Sequence, residues 1–302
     1  MKFLSVITLG MLLLTACSKS NNNAPQGPQL IFKFHFDSTQ ARLGNTGNPV
    51  AVAAGNAAQH PVFRSMSSHY LELAPAATTL LGKGAVLYKA PETTAGGENA
   101  IDFAQSHAVG EGEVFFAIPL SQVQAGTYEW LRLSLAYQNY DVKYRVDTVI
   151  SNIPFSGTFT GTIASFIGFN TYLQQYKVKD QQVTVNGNRK QGYWAFETAA
   201  ALQGGAGKVV SGQAPAGATT VVNPLFATSP VPQGSCVVTG QFAPGKLQIT
   251  GKEQSDIVVT VSLSVNNSFE WVDDNGNGLW EPLRGEKVVD MGIRGMIPKL
   301  SN

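Results

Sequence analysis

The sequence predicts an all-β protein, an antiparallel β-sandwich with long Gly- and Ala-rich loops, and three observations carry that prediction. Apolar and polar residues alternate with a period of two in stretch after stretch of the chain. Capped stretches with a helical period of 3.6 are hard to find. The 31 Gly and 15 Pro are spread along the whole length, as turns between many short strands require. No internal repeat is visible, which argues against a propeller or solenoid.

The N-terminus comes first. Met1-Lys2 supplies a positive end, and Phe3 to Leu14 supplies an apolar run broken only by Ser5, Thr8 and Gly10. Such a run is a signal peptide; a spanning helix needs about 20 apolar residues. It ends in Leu14-Thr15-Ala16-Cys17, which resembles the lipobox of bacterial lipoproteins. The resemblance implies cleavage before Cys17, lipidation of its thiol and anchoring in a lipid bilayer. Two or three acyl chains hold a protein firmly where one holds it marginally. Residues 1–16 are therefore read as the signal, and 17–29 as the lipidated cysteine and a flexible tether without large apolar side chains. Ser18 stands where an inner-membrane retention signal would place Asp, so the outer membrane is the expected destination.

Residues 30–302 are the expected β-sandwich region, with a compositional break near 203–233 where two lobes would divide. Leu30 to Phe36 places Phe32, Phe34 and Phe36 on one face and Lys33 and His35 on the other. Glu113 to Leu120 is apolar after its first residue and is expected between two covered faces. Leu131, Leu133 and Leu135 alternate with Arg132 and Ser134, and Val142, Tyr144 and Val146 alternate with charged residues. Between them Gln138-Asn139-Tyr140-Asp141 looks like the turn of a hairpin. Asp256 to Phe269 is the clearest strand, with Ile257, Val259, Val261, Leu263 and Val265 on one face. Ala51–Ala58, Thr94–Asn99 and Ala199–Ala218 are expected loops, with one short helix at Thr198–Leu202.

Composition narrows the function. A hydrophobic fraction of 43% supports a packed core, and a net charge of +1 offers no electrostatic case for nucleic acid or an anionic membrane surface. With Cys17 lipidated, Cys236 is the only thiol left; no disulfide can form within the chain. Ser235-Cys236-Val237-Val238 reads as a strand, and a buried inert thiol is expected because no nearby His, Lys or Arg would lower its pKa.

One motif carries chemistry. Counting Asp273 as position 1 of a calcium loop puts Asn275 at 3, Asn277 at 5, Gly278 at the sharp turn of 6, the Leu279 carbonyl at 7 and Glu281 at 9. Ca²⁺ takes six to eight hard oxygens, and this spacing presents them from a few residues. Position 12, where a bidentate Glu is the rule, holds Arg284; the nearest later acids are Glu286 and Asp290, and Glu286 is the candidate ligand in its place. Because the loop follows a strand, it resembles the EF-type loops of dockerins and of calcium-binding β-sandwich repeats in bacterial surface proteins. Two Asn ligands lower the charge, so affinity is expected in the range of about 10⁻⁴–10⁻³ M. The competing reading is a metal-free Asn-Gly turn.

Other constellations are weaker. His35, His60, His69 and His107 show no metal-ligand spacing, and no nucleophile elbow or phosphate loop appears. Phe269, Trp271 and Trp280 are candidates for sugar stacking or for core packing. Phe32-x-Phe34-x-Phe36, with Ala125-Gly126-Thr127-Tyr128 and Leu131-Arg132, looks a little like the MbnP-like lipoproteins, which are associated with copper handling and have β-sandwich folds. The leading expectation is a non-enzymatic cell-envelope lipoprotein, a binding or structural module with a calcium-stabilised loop and a glycan or protein ligand at the cell surface. The alternatives are an envelope glycan hydrolase and a copper-associated periplasmic lipoprotein.

Overall fold

The computed structural model describes residues 27–150, 152–199, 207–215, 222–225 and 236–301. The signal segment, Cys17 and residues 18–26 of the tether lie outside them. Strand β1 (Gln29–Asp37) starts at the last tether residue and buries Leu30, Phe32 and Phe34 completely. It lies parallel to β18 (Ile257–Ser264) and antiparallel to β8 (Val114–Pro119), and β18 pairs in turn with β21 (Met296–Ser301).

The main sheet runs β15 (Val209–Gln213), β14 (Tyr193–Glu197), β11 (Ile153–Phe166), β10 (Trp130–Ile150), β3 (Val62–Ala74), β4 (Ala85–Lys89), and β16 (Val237–Gln241) also pairs with β10. Its centre is β10 (Trp130–Ile150), a single strand of 21 residues flanked by β3 (Val62–Ala74) and β11 (Ile153–Phe166). The two sheets face each other as a sandwich. Leu30, Phe32, Phe34, Val259, Val261 and Leu263 of one meet Leu71, Leu73, Leu131, Leu133, Leu135 and Val238 of the other. The far half of β10 builds a second core with Phe269, Trp271 and Trp280, and the opposite face of the sheet packs Tyr137 and Phe166 against Leu173 and Tyr176.

Several expectations are corrected. Gln138–Asp141 is not a turn: the chain runs straight through it, and the reversal comes later, between Ile150 and Ile153. Gln138 and Asn139 are buried there, and their amides donate to the carbonyls of Met291 (3.1 Å) and Val178 (2.7 Å). Register shifts against β3 after Ser134, Leu135 and Asn139 move the inward face from Leu131, Leu133 and Leu135 to Tyr140, Val142 and Tyr144. A bulge thus makes the same break in alternation that a turn would make. Similarly, β8 is an edge strand, not one between covered faces, and Val114 is 42% exposed. A register shift at Phe115 lets that ring stack on Phe34 while Phe116 meets Phe32; both touch Tyr88.

The strand expected over Asp256–Phe269 is two: β18 ends at Ser264, and β19 (Phe269–Val272) begins after a turn holding Asn267 at φ 47°. Its polar face is covered, since Ser262 and Ser264 donate to the Gln40 side-chain oxygen (2.8 Å) and carbonyl (3.0 Å). Two stretches expected as loops contribute edge strands, β2 (Asn56–Gln59) and β15 (Val209–Gln213), because backbone pairing requires no large side chain. Thr198 and Ala199 are not helical, and the remainder of the helix expected there lies outside the described residues. Of the stretch near 203–233, residues 209–213 pair with β14 (Tyr193–Glu197), and the strands on both sides of the stretch join the sheet that contains β10.

Cys236 is 6% exposed, one residue before β16, with its sulfur 2.9 Å from the Ser134 hydroxyl. Burial pushes the thiol above its ordinary range. Thiol reagents are therefore expected to label the native protein slowly and the denatured protein at once. Equal rates in the two states would refute this.

Candidate metal centre

β19 runs between β2 and β20 (Val288–Met291), and residues 273–287 connect β19 to β20. Phe269 and Trp271 anchor its start in the core, and the Asp273 N–H donates to the Gly55 carbonyl (3.1 Å). From there the loop curls around its own side chains. Asp273 accepts from the Asn277 N–H through Oδ1 (3.2 Å) and from the Gly278 N–H through Oδ2 (2.8 Å). Asn275 Oδ1 accepts from the Asn277 N–H (3.1 Å), and Asn277 Oδ1 accepts from the Leu279 N–H (2.7 Å). Gly276 and Gly278 take φ of 69° and 70°, a left-handed conformation that a side chain would strain. The side chains at positions 1, 3 and 5 are thus turned into one loop and held by its peptide N–H groups.

Glu281 closes the ring. It is 2% exposed, and its Oε2 accepts from the side-chain amides of Asn275 (2.5 Å) and Asn277 (2.8 Å). Arg284, at position 12, stays at the rim with its Nε 3.9 Å from Glu281. Glu286 takes the inner place: it is 6% exposed, its Oε2 accepts from the Glu281 N–H (2.6 Å), and its Oε1 is buried without a hydrogen-bond partner. Burial first, and then the charges of Glu281 and Asp273, push the Glu286 carboxyl above the usual glutamate range against the opposing backbone N–H groups of Glu281 and Asp274. Pro282–Arg284 forms a single 3-10 turn closed by Gly285 at φ 91°, and this turn sets Glu286 back beside Glu281.

The structure therefore brings Asp273, Asn275, Asn277, Glu281 and Glu286 into one loop; the Leu279 side chain points out and is 39% exposed. Among the described residues, no three His, Cys, Asp or Glu side chains form a group that could hold a metal ion by themselves. A cation here would draw on amide and peptide oxygens as much as on acids, which suits Ca²⁺ rather than a transition metal.

Phe269, Trp271 and Trp280 are core residues at 0%, 1% and 7% exposure, so their rings pack in the interior and form no exposed aromatic platform. The histidines stay apart. His35 meets Glu111, His69 meets Glu92, His60 accepts from the Asn267 N–H, and His107 lies near the Val114 carbonyl. Sequence reading missed a charge network beside the loop, in which Arg42 pairs with Glu270 and Asp290, and Asp290 also pairs with Arg294. Glu270 and Asp290 face each other across β19 and β20, and both are held by arginines, as expected for a tie between segments. Arg42 and Glu270 are 228 positions apart, and no local pattern signals their meeting.

No protein-family model, curated protein or solved structure matches the chain. Among the described residues, no helix is long and apolar enough to cross a membrane.

Proposed function

We propose that this protein is a non-enzymatic cell-envelope lipoprotein, held at a bilayer through acylated Cys17, whose β-sandwich is a binding or structural module stabilised by Ca²⁺. The cation is held by Asp273, Asn275, Asn277, the Leu279 carbonyl, Glu281 and Glu286. The observation that supports the calcium reading is the buried Glu286 oxygen with no hydrogen-bond partner at a loop whose Asx turns are already formed, where the charges of Glu281 and Asp273 act on the Glu286 carboxyl. A hard cation removes the mutual repulsion of those acids and supplies the missing partner. The anchor rests on Leu14–Cys17.

An ion bound only by the folded state stabilises it by RT ln(1 + [L]/Kd). At a Kd of roughly 10⁻⁴ M, millimolar calcium contributes about 1.4 kcal/mol. In a thermal melt of chelator-treated protein, calcium should raise Tm by about 2–5 °C. Asp273→Ala should abolish the rise, and magnesium should replace calcium poorly because its small octahedral shell does not suit a roomy loop. An unmoved melting curve would return the loop to a plain Asn-Gly turn.

Glu286 adds a pH signature. Its folded pKa is raised, so the folded protein holds this proton more tightly than the unfolded chain does. In chelator, the Glu286 contribution to stability should fall as pH rises from about 4.5 through the raised folded value, and stay level above it. Calcium displaces the same proton, so the calcium-induced rise in Tm should grow across that interval. Glu286→Gln keeps the acceptor for the Glu281 N–H; it should raise Tm in chelator at neutral pH and shrink the calcium increment.

A further inference from the structure

An Asn followed by Gly can react with itself: the glycine nitrogen attacks the side-chain carbonyl carbon, and glycine has no side chain to obstruct the approach. Around Asn277-Gly278 the groups that such a step needs are already assembled. The attacking nitrogen, that of Gly278, lies 2.8 Å from Asp273 Oδ2, within the reach at which a carboxylate takes a proton. The oxygen that gains negative charge, Asn277 Oδ1, accepts from the Leu279 N–H at 2.7 Å, the distance at which a peptide donor stabilises an oxyanion. The departing nitrogen, Asn277 Nδ2, is held by Glu281 Oε2 at 2.8 Å. Asn277 and Gly278 are both exposed, so water reaches them.

The other Asn-Gly pairs have different surroundings. In Asn275-Gly276 the glycine N–H meets a peptide carbonyl, that of Asp273, at 3.3 Å, and Asn275 Oδ1 accepts from the Asn277 N–H at 3.1 Å. Asn186-Gly187 lies within β13 (Gln182–Lys190), where Gly187 is paired with Leu173 of the neighbouring strand.

We propose that Asn277 is a self-modification site, at which the loop converts its own amide to an acid. Asp273 takes the Gly278 proton as the Gly278 nitrogen bonds to Asn277 Cγ, and the Leu279 N–H holds the charge on Oδ1. The Cγ–Nδ2 bond then breaks, and Nδ2 leaves as ammonia with a proton returned through water. Water opens the cyclic imide at Cγ to give Asp, or at the backbone carbonyl to give isoaspartate. The net change is water in and ammonia out, with no change of oxidation state. Either product replaces a donor to Glu281 by a negative oxygen. The reaction itself needs no metal. Its consequence rests on the calcium reading: Asp at position 5 adds an anionic ligand and should tighten calcium about tenfold, since ligand charge tunes such loops over decades of Kd.

The purified protein, warmed at neutral pH in chelator, is sampled over time by peptide mapping, with fragmentation locating each amide that has become an acid. Asn277 is expected to convert at least about fivefold faster than Asn275 or Asn186, the advantage of a positioned base. In concentrated urea the Asn277 and Asn275 rates should converge, because Asp273 is no longer held against Gly278. Asp273→Asn keeps an acceptor and removes the carboxylate; with a melting curve confirming that it folds, it should slow Asn277 about tenfold and leave Asn186 as it was. Equal rates at Asn277 and Asn275 in the native protein would overturn the proposal. So would a native Asn277 rate below its rate in urea, or an unchanged rate in Asp273→Asn. The rates in chelator decide this inference and the calcium melt decides the calcium reading, so either can fail without the other.

Discussion

Replacing Arg132 by Met is expected to cost about 3–5 kcal/mol of stability, because it strands the Glu72 carboxylate inside the sandwich. Arg132 and Glu72 sit opposite each other on β10 and β3, and both side chains are 0% exposed. The guanidinium lies 3.4 Å from Glu72 Oε2 and donates to the Thr79 carbonyl at 2.6 Å. Glu72 also accepts from the Gly82 N–H (3.1 Å), the Gly84 N–H (2.7 Å) and the Tyr70 hydroxyl (3.0 Å). Burial, and then the Glu72 charge, push the Tyr70 phenol up, so it remains a donor at neutral pH. The pair thereby ties the 75–84 loop onto the sheet. A chain of this size should lose roughly 6–20 °C in Tm. Adding Glu72→Gln to the Arg132→Met variant should recover part of the loss, since the amide oxygen still accepts from the two glycines without a charge to bury. A loss below about 1 kcal/mol in urea denaturation would show that water reaches the pair.

Cys17→Ala should eliminate lipid attachment entirely. Acylation requires a thiol, and alanine has nothing for the acyl donor to alkylate. Cells expressing the variant are expected to hold an uncleaved or soluble precursor that incorporates no labelled fatty acid, while the wild-type chain is labelled and partitions with membranes. Two acyl chains give firm anchoring where one is marginal, so the change in partitioning should be near complete. Label persisting on the alanine variant would sink the lipoprotein assignment and leave the sandwich without an anchor.

Local periodicity made much of the fold legible. Leu30 to Phe36 and Ile257 to Leu263 alternate because each has one face in the shared core, and both stretches are strands with those faces packed against it. Two of the errors share one cause. At Gln138–Asp141 and at Phe115, bulges change which face points inward, and a sequence shows the change of phase without showing whether the chain turns. The candidate centre divides in the same way. Spacing located Asp273, Asn275, Asn277 and Glu281, because contiguous residues in a tight loop converge wherever the glycines allow it. It named Glu286 as the substitute for the missing twelfth-position acid without showing how that side chain would reach the loop. The 3-10 turn at Pro282–Arg284 brings Glu286 back beside Glu281, whereas Asp290 lies in β20, bound to arginines.

The all-β character and the convergence of Asp273, Asn275, Asn277 and Glu281 in one loop were legible in the sequence, because both depend on residues close along the chain. Tertiary structure alone decided the parallel pairing of β1 with β18, the burial of Arg132 against Glu72 and the partnerless oxygen of Glu286. Each of these depends on which distant segments exclude water from one another. Desolvation gives a buried charge or an unmatched donor its energetic weight, and it is a property of the packed layers, not of any stretch of chain.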